Sequence, residues 1–203
     1  MENKFRELLI LNNDFIKMTE IFLDDLSKGM KKTEEESEDE CWRRLVVRTA
    51  MSQIETMCFW LKKYVLFLSP ILHKKIIPKD ETWLKEEKVE IKRGKIESKK
   101  FFPETKENLK FAFKIYGWMF GFEFDIEKCE GWETYKKAVE IRHRITHPKS
   151  ISDLKVSLKD YDIVGSTYQW FSDCYKELRT KAKQKMNEIL NAQRALSKKP
   201  LTD

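Results

Sequence analysis

The sequence predicts an all-α fold, a helical bundle of about five helices with a small β-hairpin-like insertion. Apolar residues recur at helical spacing along most of the chain, which is typical of amphipathic helices that bury one face. Glycine and proline number only 6 and 5 in 203 residues, whereas all-β folds need many tight turns. A charged fraction of 36% favours helices with surface ion pairs. We expect a single domain over residues 1–203.

The first two helices follow from the spacing of apolar residues. A helix is predicted over about residues 3–27, with Gly29 as its end. The polar segment KKTEEESEDE then forms a connector, and its acidic residues favour the start of the next helix because they complement the helix dipole. The second helix is predicted over about 37–69, where one apolar stripe contains Val46, Ala50, Ile54, Met57, Leu61, Tyr64 and Leu68.

The middle of the chain departs from helical periodicity. Residues 79–100 alternate apolar and charged residues around Arg93-Gly94, which predicts a solvated β-hairpin or an irregular insertion. The remaining helices are predicted at about 104–122, from Gly131-Trp132 to Pro148, and from Ser157 or Asp160 to Ala195. The C-terminal helix and tail, about 181–203, are basic, and the last residues are expected to fray.

Charge and hydropathy limit the classes of function. The chain carries 40 Lys and Arg against 34 Asp and Glu, a net charge of +6, which favours a polyanionic partner. On charge alone, lysines that only keep the protein in solution explain the balance equally well. The amphipathic, acid-containing N-terminus predicts neither a signal nor a transit peptide. The most apolar run, about 59–72, is too short to cross a bilayer, so we expect a cytoplasmic protein without membrane contact.

The cysteines and histidines give no metal pattern. Cys41, Cys58, Cys129 and Cys174 lie far apart without a CxxC pair, and the chain has only three histidines. This spacing does not match a zinc site. We expect buried or free thiols in a reducing compartment, and we expect neither a metal ion nor another cofactor.

Two of the three histidines and two arginines fall within six positions of the segment VEIRHRITHPKS. On a helix that turns about 100° per residue, Arg142 lies within the apolar arc. A guanidinium there must be paired or must line a cleft, because an isolated buried charge is very costly. His143 and His147 lie at the border of that arc. Pro148 disfavours helical geometry at His147, so the helix should end there and let Arg142, His143 and His147 converge.

Simpler interpretations of these residues stay open. Arg142 could form a structural ion pair with an acid on another helix. Glu55 is a candidate partner, but on a helical wheel it falls beside Arg48 and Lys62, which favours a solvated edge. His147 could be a helix-terminal histidine stabilised by the dipole, and His143 merely a polar neighbour. Arg144 falls on the outer face, where solvent or RNA backbone contact is expected, and Lys149 is a second predicted RNA contact.

The residue types fit RNA cleavage without a metal ion. Histidine accepts and donates protons near neutral pH, and arginine offers a fixed fork of donors to a phosphate. In such a reaction the neighbouring 2′-hydroxyl attacks the phosphorus, the histidine transfers the protons, and the arginine stabilises the anionic transition state.

The segment that contains these residues resembles a motif of a known protein family. The segment RHRITH resembles the R-x4–6-H motif of the HEPN superfamily (higher eukaryotes and prokaryotes nucleotide-binding), in which a polar Asn, Asp or His usually follows the arginine. His143 occupies that position. The segment RRLVVRTAMSQIETMCFWL resembles an early HEPN helix, and YKKAVEIRHRITHP resembles the motif helix. The resemblance covers roughly residues 37–185 and is strongest over 132–148.

The resemblance implies a compact helical bundle that forms a homodimer, with the motif helices facing each other across a composite RNA-cleaving cleft. Arg142, His147 and His143 would be its catalytic residues. Many such proteins are toxins or anti-phage effectors, so an antitoxin or regulatory partner is expected besides the RNA substrate. Some relatives bind RNA or nucleotide, or scaffold a partner, without cleaving. A DNA-binding regulator is a third alternative, but no helix-turn-helix with a basic recognition helix is evident.

Overall fold

The computed structural model of this chain describes residues 2–36, 40–92 and 95–197. Six α-helices lie within these residues: α1 Glu2–Glu35, α2 Glu40–Leu68, α3 Pro78–Lys85, α4 Thr105–Phe120, α5 Trp132–Thr146 and α6 Leu158–Ser197. The strands β1 Glu87–Lys92 and β2 Lys95–Lys100 form one antiparallel hairpin. The predicted all-α fold with a small β insertion is therefore confirmed. None of the described helices is both long and apolar enough to cross a membrane.

The first helix is longer than predicted. It continues through Gly29 to Glu35, so the prediction that Gly29 ends the helix is wrong. A Cβ at this position would lie 2.8 Å from Cγ2 of Val46, so the glycine lets α1 approach α2 closely. The first half of the predicted connector is helical, and Lys32 pairs there with Glu35 and Glu36. Residues 37–39 lie outside the described part of the chain.

Helix α2 forms the centre of the bundle. It contacts α1, α3, α4, α5 and α6, and its predicted apolar stripe faces the core, with Met57 and Leu68 at the partly buried edge. Fully buried side chains of the core include Val47, Met51, Leu61, Leu109, Phe113, Tyr135, Ile145, Phe171 and Leu178. Burying a large apolar side chain contributes about 1.5–3 kcal/mol, so this interior accounts for most of the stabilisation of the bundle.

The segment 79–100 has two parts. Residues 87–100 form the predicted hairpin, with Glu87 opposite Lys100 and Lys92 opposite Lys95, whereas Arg93-Gly94 lie outside the described residues. Residues 79–85 are helical, so a hairpin or irregular structure was the wrong prediction for them. Pro78 stands at the first helical position, where its missing N–H costs nothing, and Leu84 anchors α3 because its side chain is only 1% exposed.

The other helix bounds lie close to the prediction. Helices α4 and α5 begin and end within two residues of the predicted positions, and α6 extends to Ser197. Short 3₁₀ turns at Ile126–Lys128 and Ile151–Leu154 connect them. The frayed end predicted for the last residues concerns 198–203, which lie outside the described residues.

Candidate active site

Helix α5 is held at its N-terminus by Gly131. This residue has a φ of 115°, a conformation that glycine adopts without strain, and a Cβ there would come within 2.4 Å of the Trp170 ring. Trp132 and Tyr135 pack near that ring. The start of α5 is therefore fixed against α6, and this contact sets which residues of α5 face the bundle further along.

Helix α5 ends just before His147, as Pro148 predicts. Thr146 is the last helical residue, and His147 has left helical geometry with φ −124° and ψ 59°. Its N–H still donates to the carbonyl oxygen of His143 at 3.0 Å. The His147 side chain is therefore attached to the end of the helix by a backbone bond, while its direction is no longer set by helical geometry.

Arg142 is paired across the helix interface. Its Nη2 atom lies 3.2 Å from both carboxylate oxygens of Glu55 on α2. The two side chains are only 27% and 32% exposed. The solvated edge expected for Glu55 is thus wrong, because a helical wheel gives the direction of a side chain on its own helix but not which helix lies opposite.

The same pair defines the electrostatics of this position. Burial raises the pKa of the Glu55 carboxyl, and the positive charge of Arg142 and a contact with the Thr105 hydroxyl lower it in turn. Arg142 therefore has a counter-ion inside the protein. The expectation that a guanidinium on the core side must be paired or must line a cleft is therefore met by this ion pair.

A cleft of about 760 Å³ opens beside this ion pair. It is lined by Met18, Ser52, Glu55, Thr56, Phe59, Glu86, Phe102, Pro103, Thr105, Asn108, Arg142 and His147. We call it the Arg142 cleft. Its volume lies within the roughly 300–1,000 Å³ of ligand sites. Arg142 and His147, five positions apart in sequence, thus share one cleft, as their predicted convergence requires.

His143 lies beside this cleft and is not among the residues that line it. Its ring centroid is 5.1 Å from that of His147, with the planes inclined by 53°. Both imidazoles are exposed. The convergence predicted for three residues is therefore direct for Arg142 and His147, whereas His143 reaches the cleft only through its contact with His147.

A buried ion pair next to the cleft was not predicted, and the solvated edge expected for Lys62 beside Glu55 is wrong. Lys62 is fully buried, and its Nζ atom donates to Oε1 of Glu86 at 2.5 Å and to Oδ1 of Asn108 at 2.6 Å. Both partners line the Arg142 cleft. The sequence signal was the lysine itself, which lies inside the apolar run FWLKKYVLFL and follows the buried Leu61.

Arg144 has a structural contact that the sequence did not suggest. Its Nη1 atom donates to the carbonyl oxygens of Asp153 and Lys155 at 3.0 and 2.5 Å, and Nη2 pairs with Asp160 at 3.2 Å. The solvent-facing position expected for Arg144 is wrong, because the segment after α5 folds back over that side of the helix. The Lys149 side chain is exposed, and RNA contact by either residue stays a prediction.

Other reactive groups near the cleft are held neutral by burial. The pKa of the Cys58 thiol is raised to about 12, mainly by burial, although Lys62 opposes the shift. Burial also raises the pKa of Tyr135 well above its usual value. Cys58, Cys129 and Cys174 form no disulfide bond among the described residues. Among the described residues, no group of three or more His, Cys, Asp or Glu side chains is placed to hold a metal ion.

Comparison of the chain with protein-family models, with curated proteins and with solved structures finds no match. The chemistry assigned to this site therefore depends on the geometry of Arg142, His147 and Glu55 in the cleft.

Proposed function

We propose that this protein is a HEPN-type endoribonuclease that cleaves RNA by attack of the substrate's own 2′-hydroxyl on the neighbouring phosphorus. The observation that carries the proposal is that Arg142 and His147 line one cleft at the end of α5. A proton-transfer group and a phosphate-binding group within one cleft are the two functions that this reaction needs from a protein.

Arg142 would bind and stabilise the phosphate. Its ion pair with Glu55 uses the Nη2 atom, so the other N–H donors of the guanidinium remain for phosphate oxygens. Glu55 would act as a positioning residue, because a carboxylate that holds one edge of the fork fixes the direction of the other. A guanidinium fixed before the substrate arrives needs little reorganisation as negative charge develops on the phosphate.

His147 would transfer the protons. It would take the proton of the attacking 2′-hydroxyl or give one to the leaving 5′-oxygen, since histidine is a common general acid and base. Its exposed imidazole lines the cleft. His143 would support this imidazole from outside the cleft. We therefore expect loss of His143 to weaken cleavage less than loss of His147.

We further propose a two-fold homodimer in which the α5 ends of both copies face each other, so that two clefts form one composite site. Phe102, which lines the cleft, is 81% exposed, and Ile151, just after the motif, is 84% exposed. Aromatic side chains are enriched in protein interfaces, so the exposed Phe102 in the cleft supports contact between two copies there. Light scattering should give twice the chain mass at micromolar concentration, and a strict monomer that cleaves without a partner would contradict the dimer.

In this proposal the protein is a toxin or anti-phage effector that cuts RNA, with an antitoxin or regulatory protein as a further partner. This role would suit a nuclease whose site lies at an exposed helix end, since a second protein could cover it. The exposed imidazoles of His143 and His147 would then be within reach of such an inhibitor.

The test is incubation of the purified chain with tRNA and mRNA in excess EDTA. Cleavage should persist, and the products should carry a 2′,3′-cyclic phosphate or 3′-phosphate opposite a free 5′-hydroxyl. A substrate with 2′-deoxyribose at the cut site should bind and stay intact. Arg142→Ala and His147→Ala should each lose about 10²–10⁴ in rate, whereas Lys137→Ala, an exposed position on the same helix, should keep wild-type activity.

Two results would overturn the proposed mechanism. The first is arrest of the reaction by EDTA, and the second is cleavage of the deoxy substrate, which lacks the nucleophile. RNA binding without cleavage under all conditions would instead support a HEPN-fold module that binds RNA or scaffolds a partner without catalysis.

A further inference from the structure

A second cleft, of about 830 Å³, lies where the turn before α5 meets α6. Two cysteines line it: Cys129, which follows the 3₁₀ turn Ile126–Lys128, and Cys174 on α6. A side-chain hydrogen bond joins the two thiols. We call this surface the dithiol cleft. Two cysteines that lie far apart in the sequence are thus neighbours in the fold, at a place separate from the Arg142 cleft.

The backbone around both cysteines is fixed by contacts within the bundle. The carbonyl oxygen of Cys129 accepts a hydrogen bond from the N–H of Trp132 at 3.3 Å. Gly131 lies against the ring of Trp170, and Cys174 follows Trp170 by about one turn of α6. The two sulfur atoms are therefore held near each other before any reagent arrives, which favours a reaction between them.

The two thiols differ in their access to solvent. Cys129 is partly exposed, whereas Cys174 is only 5% exposed. Burial, together with the hydrogen-bonded Cys129 thiol, raises the pKa of Cys174 to about 12, so this thiol stays protonated at neutral pH. A reagent from solution therefore meets Cys129 first, and Cys174 is placed to react with a group that is already attached to its neighbour.

The rim of the dithiol cleft is acidic. Glu130, Asp173 and Glu177 line it, and among the described residues that do so there is no lysine or arginine. Lys181 pairs with Glu177 at 2.6 Å from outside the cleft, so Glu130 and Asp173 supply its negative charge. Such a rim repels anions and attracts cations, and it therefore selects among the reagents that could reach Cys129.

We propose that Cys129 and Cys174 form a modification site at which a small disulfide without negative charge converts the two thiols into an intramolecular disulfide. The Cys129 thiolate attacks one sulfur of the reagent RS–SR, breaks its S–S bond and releases RS⁻, which takes up the proton that Cys129 has lost. The Cys174 sulfur then attacks Cys129 Sγ in the mixed disulfide and displaces the second RS⁻, which takes up the proton of Cys174. Two cysteine sulfurs are oxidised, and one RS–SR is reduced to two RSH.

The new bond would tie the turn before α5 to α6. Because it constrains the unfolded chain, we expect the crosslinked protein to have a Tm higher by roughly 4–16 °C. The proposal does not depend on RNA cleavage, since Arg142 and His147 lie at the other end of α5. The Arg142→Ala variant should therefore form the crosslink as fast as the wild-type chain.

The experiment exposes the native full chain to cystamine, a cationic disulfide, or to oxidised glutathione, an anionic one, and maps the products by peptide mass spectrometry without reduction. Each rate is divided by that of the chain unfolded in urea, which corrects for the reactivity of the reagent itself. The corrected rate of Cys129–Cys174 crosslinking should be at least about threefold higher with cystamine at low ionic strength, and this ratio should fall in high salt.

Three variants separate the two steps. Cys174→Ala should stop at the mixed disulfide on Cys129, because the second thiol is missing. Cys129→Ala should leave Cys174 unmodified, and it keeps the test decisive if Cys174→Ala fails to fold, since Cys129 is the more exposed of the two. Cys41→Ser removes an exposed thiol elsewhere and should not change the rate of crosslinking.

Three results would overturn the proposal. In the first, Cys129 and Cys174 of the native chain stay unmodified or carry separate mixed disulfides. In the second, the crosslink forms only after unfolding in urea, or joins two chains instead of one. In the third, the corrected rates with cystamine and oxidised glutathione are equal, so that the acidic rim has no influence on the reagent.

Discussion

Because Lys62 and Glu86 are buried to different extents, we predict that removing one of these side chains destabilises the fold more than removing the other. Lys62 has no exposed side-chain surface, whereas the side chain of Glu86 is 30% exposed. Removing Glu86 leaves an ammonium group in the interior with Asn108 as its remaining hydrogen-bond acceptor. Removing Lys62 leaves a carboxylate that water already reaches. We therefore expect the two substitutions to lower the free energy of unfolding by unequal amounts.

The magnitudes follow from this difference in burial. A buried charge deprived of its partner costs about 3–5 kcal/mol, which we expect for Glu86→Ala. For Lys62→Met, a side chain of similar length fills the space and the remaining carboxylate is hydrated, so we expect about 1 kcal/mol. Glu86 has φ 54°, but glutamate and alanine share this backbone cost, so it does not enter the comparison.

Thermal and urea unfolding of the two variants and of their double variant measures these costs. For a chain of this length 1 kcal/mol shifts Tm by roughly 2–4 °C, so Glu86→Ala should lower Tm by roughly 6–20 °C and Lys62→Met by a few degrees. Adding Lys62→Met to Glu86→Ala should recover about 2 kcal/mol, because the unpaired charge is removed. Lys63→Met, at the neighbouring less buried lysine, is the matched control. A double variant no more stable than Glu86→Ala, or a larger cost for Lys62→Met, would refute this reasoning.

Three further predictions concern other contacts. Arg144→Ala should lower stability by about 2 kcal/mol, because it removes two charged hydrogen bonds to carbonyl oxygens and one ion pair; an unchanged Tm with weaker, salt-dependent RNA binding would favour RNA contact instead. At neutral pH the native protein should react with a thiol reagent first at the exposed Cys41. Burial raises the pKa of Cys58 and Cys174 to about 12 and so keeps these two thiols protonated, whereas the thiolate is the reactive form. This protection should be lost in urea, and rapid native modification of Cys58 at pH 7 would contradict it. Replacing residues 88–99 with a short glycine linker should keep the helical circular dichroism while changing RNA choice or partner binding, and loss of the helical signal would show that the hairpin belongs to the core.

Helical spacing predicted most of the fold because it depends on local sequence. The apolar stripe of α2 and the end of α5 before Pro148 both follow from the properties of single residues and their spacing. The continuation of α1 through Gly29 was not predicted, because the close approach of Val46 is a contact between two helices. Similarly, α3 was missed because one buried residue, Leu84, fixes an otherwise charged eight-residue segment.

The same distinction applies to the candidate site: features of a single helix were predicted, and contacts between helices were not. Arg142 and His147 were found because their residue types and spacing have a chemical meaning on one helix. Glu55 and Glu86 were not assigned to the site, because their positions depend on how α2 meets α5 and on where α3 ends. A helical wheel gives the direction of each side chain but cannot give the distance between two helices.

The charges of the Arg142 cleft bear on how RNA would reach it. Arg142 is balanced by Glu55 and the buried Lys62 by Glu86, so these two pairs contribute no net charge. Long-range attraction of RNA would then come from elsewhere. Strand β2 presents the exposed Lys95, Lys99 and Lys100, and the chain continues from this strand to Phe102 and Pro103 of the cleft. We therefore expect replacement of these three lysines by glutamine to weaken RNA binding and to reduce its salt dependence, by about 0.7 in the logarithmic slope for each lost contact with a single strand. Cleavage of bound RNA in single-turnover experiments should be unchanged, because Arg142 and His147 are retained. An unaltered salt slope would show that RNA approaches from another side of the bundle, and the basic segment of α6 would be the next surface to test.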